Sequence, residues 1–341
     1  MDDGKRGVRE IAQLAGVSAA TVSRVYRGVG QVAPQTREKV LQAIQQYGYR
    51  PSPFGLSLAR QQHGTIGIVL PGLSGPYFGE LLEGFDSVAV ERDVSVHVIG
   101  AHRRASADQE LDALTGRVDG VAVHAGLYPD DVLDRVAARV PVLLIGDGGG
   151  RTSVRSDHSA MRDLVAHLVQ AHRARRLVFV GRPAAASDVA ERFAFYRSAC
   201  ADFGVEDAGI VEVGLQQTDG ALAAPQVAAL CRDGVDGAVC ANDETALGLI
   251  LGLAGEGIHV PADLAVTGVD DVPMSSLVRP ALTTLARPLR EIAATAARSL
   301  LDLVAGRTVP TETVLPSTVA LRQSCGCGEP SAGRGRSDRG G

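Results

Sequence analysis

The chain reads as α + α/β: a small three-helix module at the N-terminus, then a larger two-lobed α/β body with parallel sheets. Three observations predict this. Charge is divided, with nine Lys/Arg against four Asp/Glu in residues 1–62 and 25 against 35 in the remainder. Residues 8–48 carry helical apolar spacing punctuated by glycines. From Thr65 onward, seven Val/Ile/Leu-rich runs alternate with helical stretches. At 341 residues the chain also exceeds what one hydrophobic core usually organises.

In the first module, VREIAQLAGVS sets Val8, Ile11, Ala12 and Ala15 on one helical face, and Gly16 supplies the turn where that helix stops. Ser18 is a suitable N-cap for a second helix through AATVSRVYRG, ended by Gly28. Val22 and Val25 face inward on that helix, leaving Ala19, Ala20, Thr21, Ser23 and Arg24 outward. A third helix, PQTREKVLQAIQQYG, begins at Pro34 and stops at Gly48. Two short helices joined by a glycine turn form a helix-turn-helix, which presents the start of its second helix to the DNA major groove. A net +5 on residues 1–62 against −10 beyond suits a head that alone meets phosphate.

Val8 to Pro51 resembles the DNA-binding headpiece of the lactose-repressor (LacI/GalR) family of bacterial regulators. The words IAQLAGVS, ATVSRV, TREKV and YGYRPS carry the likeness, in that order and spacing. The resemblance implies that Ala19 and Ala20 occupy base-reading positions and that Arg24 reaches a base edge. It implies that Ser18, Thr21 and Ser23 contact backbone or bases. Alanine can touch a thymine methyl but donates no hydrogen bond, so Arg24, flanking residues or DNA shape must supply much of the specificity. Ala33 departs from the family, which often has Ser capping the third helix.

The headpiece is assigned to residues 1–51 and a hinge to 52–64. Pro53 can open a short helix carrying Phe54, Leu56, Leu58 and Ala59, too short to persist without a partner. By resemblance, paired hinge helices of a dimer push Leu58 into the minor groove as an apolar wedge. Gly55 stands where a helix-former is usual, and a plain flexible linker is the alternative reading.

The effector-binding and dimerisation core is assigned to residues 65–327. Its strands are TIGIVLP, VSVHVIG, DGVAVHA, PVLLIGD, RLVFVG, GAVCAND and LAVTGVD. Near-continuous apolar runs between helices indicate parallel strands buried on both faces. VDGVAVHA at 118–125 echoes VDGAVCAN at 235–242, as two similar α/β halves would. By resemblance this body is periplasmic-binding-protein-like.

Ligands of open α/β folds bind beyond the carboxyl ends of strands. That rule nominates Gly75 to Phe78, His102 to Arg104, His124, Asp147, Asn242 and Asp270. The resemblance adds GPYF, with Tyr77 and Phe78 as an aromatic wall, and VAERFAF, with Arg192 as a ligand-gripping cation. It also places Asn242 and Asp270 in the pocket. Gly75 replaces a usual Asn, and Asp243 is expected to cap the next helix. An arginine, an amide and carboxylates around aromatic rings suit a polyhydroxylated ligand.

The expected function is a sequence-specific transcriptional regulator, a repressor, reading a near-palindromic double-stranded DNA operator as a homodimer under control of a sugar-like effector. A transport solute-binding protein and a sugar-acting enzyme are the alternatives. No phosphate loop or nucleophile elbow supports catalysis, so neither enzyme activity nor a cofactor is expected. No apolar run approaches the roughly 20 residues of a membrane span. The start lacks an apolar signal core, and five scattered cysteines fit a reducing interior, so the expected location is cytoplasmic. CGC at 325–327 suggests metal only weakly, for want of partners nearby in sequence, and no metal site is expected. Residues 328–341, rich in Gly, Ser and Arg, are expected to be disordered.

Overall fold

The computed structural model describes residues 8–27, 30–49, 63–101 and 107–328. Gly28, residues 52–62 of the hinge with Leu58, the candidates His102 to Arg104 and the tail from 329 lie outside the described residues. The chain divides into two units, Met1–Gly64 and Thr65–Gly341.

In the first unit, helices α1 (Val8–Ala15), α2 (Ala19–Arg27) and α3 (Pro34–Gln46) enclose a core of Ile11, Ala12, Val22, Val25, Val40 and Ala43. Val8 and Ala15 pack against it, as the helical spacing predicts. Gly16 turns with φ +66°, a conformation that costs glycine nothing. Ser18 Oγ then accepts the Thr21 amide at 3.1 Å, capping α2. At the start of α3, Ala33 has no side-chain cap bond. Ala33→Ser is therefore expected to stabilise α3 by about 1 kcal/mol, seen as roughly fivefold slower amide exchange across that helix in the full chain.

The second unit has two six-stranded sheets. The first has the order β11-β5-β4-β3-β1-β2, from β1 (Thr65–Leu70), β2 (Ser95–Gly100), β3 (Gly120–His124), β4 (Val142–Ile145), β5 (Ser153–Ser156) and β11 (Glu312–Leu315). The second has the order β12-β10-β9-β8-β6-β7, from β6 (Arg176–Val180), β7 (Glu206–Val211), β8 (Gly237–Cys240), β9 (Ala265–Asp270), β10 (Thr283–Ala286) and β12 (Thr318–Ala320). Among the described residues, only β12 runs antiparallel to its neighbour. Reading inward from β2 and from β7, the sheets have the same connectivity, and the two echo segments fall on the matching strands β3 and β8.

All seven strands read from the sequence are present. Central strands such as β8 and β9 are buried throughout, whereas the edge strand β2 is half exposed. Each sheet is covered on both faces by helices over separate cores. The chain passes between lobes three times: after β5, after β10 and after β11. On the second pass, a helix at Leu289–Val304 returns to the first lobe and packs on the helix Pro76–Glu91. The approach is so close that a Cβ on Gly84 would sit 2.1 Å from the Arg290 carbonyl oxygen. This fixes the helix whose first turn carries Tyr77 and Phe78. Among the described residues, no helix is long and apolar enough to cross a membrane.

Candidate functional site

Two surfaces qualify, one on each unit. On the headpiece, Ala20 and Arg24 are exposed and lie four apart, on one face of α2. Thr21 and Ser23 are half-buried, and Ser18 and Thr21 share a hydroxyl contact of 2.9 Å. Ala19 differs from expectation: it is partly packed against the headpiece core, since its position precedes Val22 by one turn. The outward face therefore centres on Ala20 and Arg24.

Between the two lobes lies a cleft of about 700 Å³ at the carboxyl ends of the strands. Tyr77, Phe78, His124, Arg192, Asn242 and Asp270 all line it. Tyr77 and Phe78 meet edge to face at 5.2 Å. The His124 Nδ1–H donates to its neighbour's carbonyl, Ala125 O, at 3.0 Å, leaving Nε2 to accept the Tyr77 hydroxyl at 3.2 Å. Burial lowers the His124 pKa and pushes the Tyr77 phenol up to about 12, so both rings are neutral and mutually oriented.

The floor is a charge-balanced cluster. The guanidinium of Arg192, 3% exposed, donates to Ala241 O and to Asp188, each at 2.6 Å. Arg287 donates to Asp270 at 2.9 Å and to Ser156 Oγ at 2.6 Å, and its guanidinium lies 5.8 Å from the Tyr77 ring centre. Each arginine also lies 3.8 Å from the other's carboxylate. Burial raises the Asp188 carboxyl, but Arg192 and Arg287 outweigh it and hold the group well below the usual range. For Asp270 burial prevails over the same two cations, and its pKa is raised. Asp270 also has φ +119°, a strained backbone for a side chain, kept where it turns into the cleft.

Behind Arg192, His158 Nδ1–H donates to Glu191 at 2.9 Å and its Nε2 faces Arg192 Nε at 3.4 Å. Burial lowers the His158 pKa to about 4, against the pull of Glu191. The unfolded chain therefore takes up this proton first, near pH 6.5. The stability His158 contributes is complete above that pH and is lost as pH falls toward 4. His158→Gln is expected to flatten that part of the stability profile, measured as the difference in denaturation midpoint between neutral and mildly acidic buffer.

Two expectations need revision. Asn242, not Asp243, caps its helix: its Oδ1 accepts the Thr245 amide and its Nδ2 donates to Leu215 O, both at 2.9 Å. Asp243 is fully buried and accepts from the Val272 amide and the Ser275 and Thr284 hydroxyls. Burial and the nearby Asp270 push its carboxyl up to about 7. Asp147 does not line the cleft; it is exposed and accepts the Gly149 amide at 3.1 Å, closing a turn. Gly75, which replaces a usual Asn, has φ +100°, and a Cβ there would sit 2.8 Å from a Glu244 carboxylate oxygen. Glu244 thus brings a polar group to that place from the other lobe.

Sequence reasoning missed Asp188 and Arg287. Asp188 stands one turn before Arg192, where an i,i+4 pairing was legible. Arg287 follows β10, whose four residues TTLA were too short and too polar to read as a strand.

Comparison with known proteins places both units. Residues 8–52 match the model of bacterial regulatory proteins of the lacI family, and residues 165–325 match a periplasmic binding protein-like domain. Catabolite control protein A of Priestia megaterium is 32% identical over 93% of this chain and 98% of its own length. The chain belongs to the lacI family of bacterial regulatory proteins. A crystal structure of the lac repressor dimer bound to operator and the anti-inducer ONPF superposes with a TM-score of 0.83 at 26% identity, covering 94% of this chain and 99% of that one. The complex of the transcriptional regulator CelR with cellobiose gives 0.69 at 26% identity, covering 94% and 99%. Membership makes the headpiece a DNA-binding module and the two-lobed body an effector-binding one: the protein is a DNA-binding transcriptional regulator.

Proposed function

We propose that the protein is a homodimeric repressor whose operator affinity is set by a sugar or sugar derivative held between the lobes, and that it is not an enzyme. The domain limits are read as a headpiece at 1–51, a hinge at 52–64 and a core at 65–327. The observation that carries the reading is the cleft's pairing of an aromatic wall, Tyr77 and Phe78, with buried Arg192 and Asp270 and half-buried Asp188. Planar guanidinium and carboxylate groups hold vicinal hydroxyls from two sides, and aromatic rings cover the apolar face of a pyranose. Similar proteins support it: one is bound to cellobiose, another to an operator as a dimer.

A ligand spanning both lobes favours one interlobe arrangement, and operator affinity changes only by its differential affinity for the two states. Arg24, Ala20, Thr21, Ser23 and Ser18 are assigned to DNA, with Ala19 supporting the helix and Leu58 assigned to the operator centre. The reading is tested by calorimetric titration of the full chain with a panel of mono- and disaccharides and their phosphates. One sugar is expected to bind, to lose affinity on Tyr77→Ala, and to change operator affinity. If no sugar binds, or a bound sugar leaves operator affinity unmoved, the reading fails.

A further inference from the structure

Outside the lining of the cleft, four donor atoms converge. His167 and His172 lie on the helix Met161–His172, and Cys325 and Cys327 lie on the segment after β12. His167 Nε2 is 3.1 Å from His172 Nε2, 3.6 Å from Cys325 Sγ and 3.3 Å from Cys327 Sγ, while Cys327 Sγ is 3.4 Å from His172 Nε2. All four donor atoms lie within 4.8 Å of one another. Tetrahedral zinc, with bonds of about 2.3 Å to sulfur and 2.0–2.1 Å to nitrogen, has ligand–ligand edges of roughly 3.4–3.8 Å. Four of the six spacings, 3.1 to 3.6 Å, are already close to those edges, and contraction of the widest by about 1 Å completes the shape. CGC has no partners nearby in sequence; the fold brings them from about 155 residues upstream.

The backbone that presents the thiols is held firmly. Ser324, between Gln323 and Cys325, is fully buried, donates from Oγ to Val266 O at 2.6 Å and accepts the Thr283 amide at 2.8 Å. The Thr283 hydroxyl lies 3.1 Å from both Cys325 Sγ and the Arg322 carbonyl oxygen, within reach of a thiolate as an outer partner. Gly326 has φ +102°, and a Cβ there would lie 3.1 Å from the His172 ring, so only glycine brings both sulfurs to the two imidazoles. None of the chain's cysteines is in a disulfide.

We propose that His167, His172, Cys325 and Cys327 form a closed four-ligand zinc site that fastens the segment after β12 to the second lobe. Two thiolates and two neutral imidazoles make an uncharged set with the cation, and no ligand position is left for catalysis. Nothing in this assignment depends on the identity of the effector or on the operator.

The test loads reduced, metal-free full-length protein with zinc, and in parallel with cobalt(II) as a spectroscopic probe. One equivalent per chain is expected to bind. Cobalt should give a thiolate charge-transfer band in the near ultraviolet and the intense visible bands of tetrahedral coordination. Loss of an outer partner typically costs roughly 10–100-fold in metal affinity, so Cys327→Ser and His172→Ala should each cost at least that. Should either variant misfold, the wild-type cobalt spectrum still decides. Substoichiometric binding, a weak octahedral spectrum, or variants that bind as tightly as wild type would overturn the assignment.

Discussion

Arg192→Met is expected to destabilise the α/β body by about 3–5 kcal/mol, because it leaves half-buried Asp188 and buried Asp270 short of a cation. Asp188 would lose its 2.6 Å partner outright, and the carbonyl of Ala241 its donor. Arg287, 3.8 Å from Asp188, cannot substitute without releasing Asp270 or Ser156. Urea denaturation of the full chain measures the loss. Adding Asp188→Asn should recover part of it, since the stranded charge is then removed. A single variant within about 0.5 kcal/mol of wild type would mean the cluster is water-filled rather than a buried network.

Arg24→Ala should weaken binding to a specific operator by about 1–3 kcal/mol per half-site, while binding to unrelated DNA falls only slightly. Arg24 is exposed on the outward face beside Ala20, whose methyl offers no hydrogen bond, so the planar guanidinium of Arg24 carries polar base readout that Ala20 cannot. Arg24→Lys keeps the charge but not the planar fork, and should recover salt-dependent affinity without recovering specificity. Equilibrium anisotropy on matched specific and scrambled duplexes separates the two quantities. Equal losses on both duplexes would make Arg24 a phosphate contact instead.

Much of the fold was legible because its determinants are local. The Gly16 turn, the Ser18 cap and the inward Val22 and Val25 all lie within ten residues of one another. Buried parallel strands announce themselves as apolar runs, and two matching strands kept enough likeness to reveal the repeat. The strands that escaped, β5, β7, β10, β11 and β12, are short or partly polar, and their pairing depends on neighbours distant in sequence.

The cleft was legible in its strand-end residues and not in its charge pairs. Arg192 could be named, but its balance with Arg287 needs two segments almost a hundred residues apart to meet. Asp147 followed a strand as the rule requires, yet its carboxylate folds back onto its own turn. Asn242 and Asp243 are both good caps by composition, and only the tertiary bonds to Val272, Ser275 and Thr284 assign them. The four-residue thiol–imidazole cluster was invisible for the same reason: neither half suffices without the other.

The most direct measurement of the central claim is selection of bound sequences from a random double-stranded DNA pool by the full-length protein. A dimeric repressor is expected to select a near-palindrome of two half-sites about a deformable centre, read by two copies of the headpiece. Only sequence-blind, salt-sensitive binding, with and without the sugar panel, would contradict it.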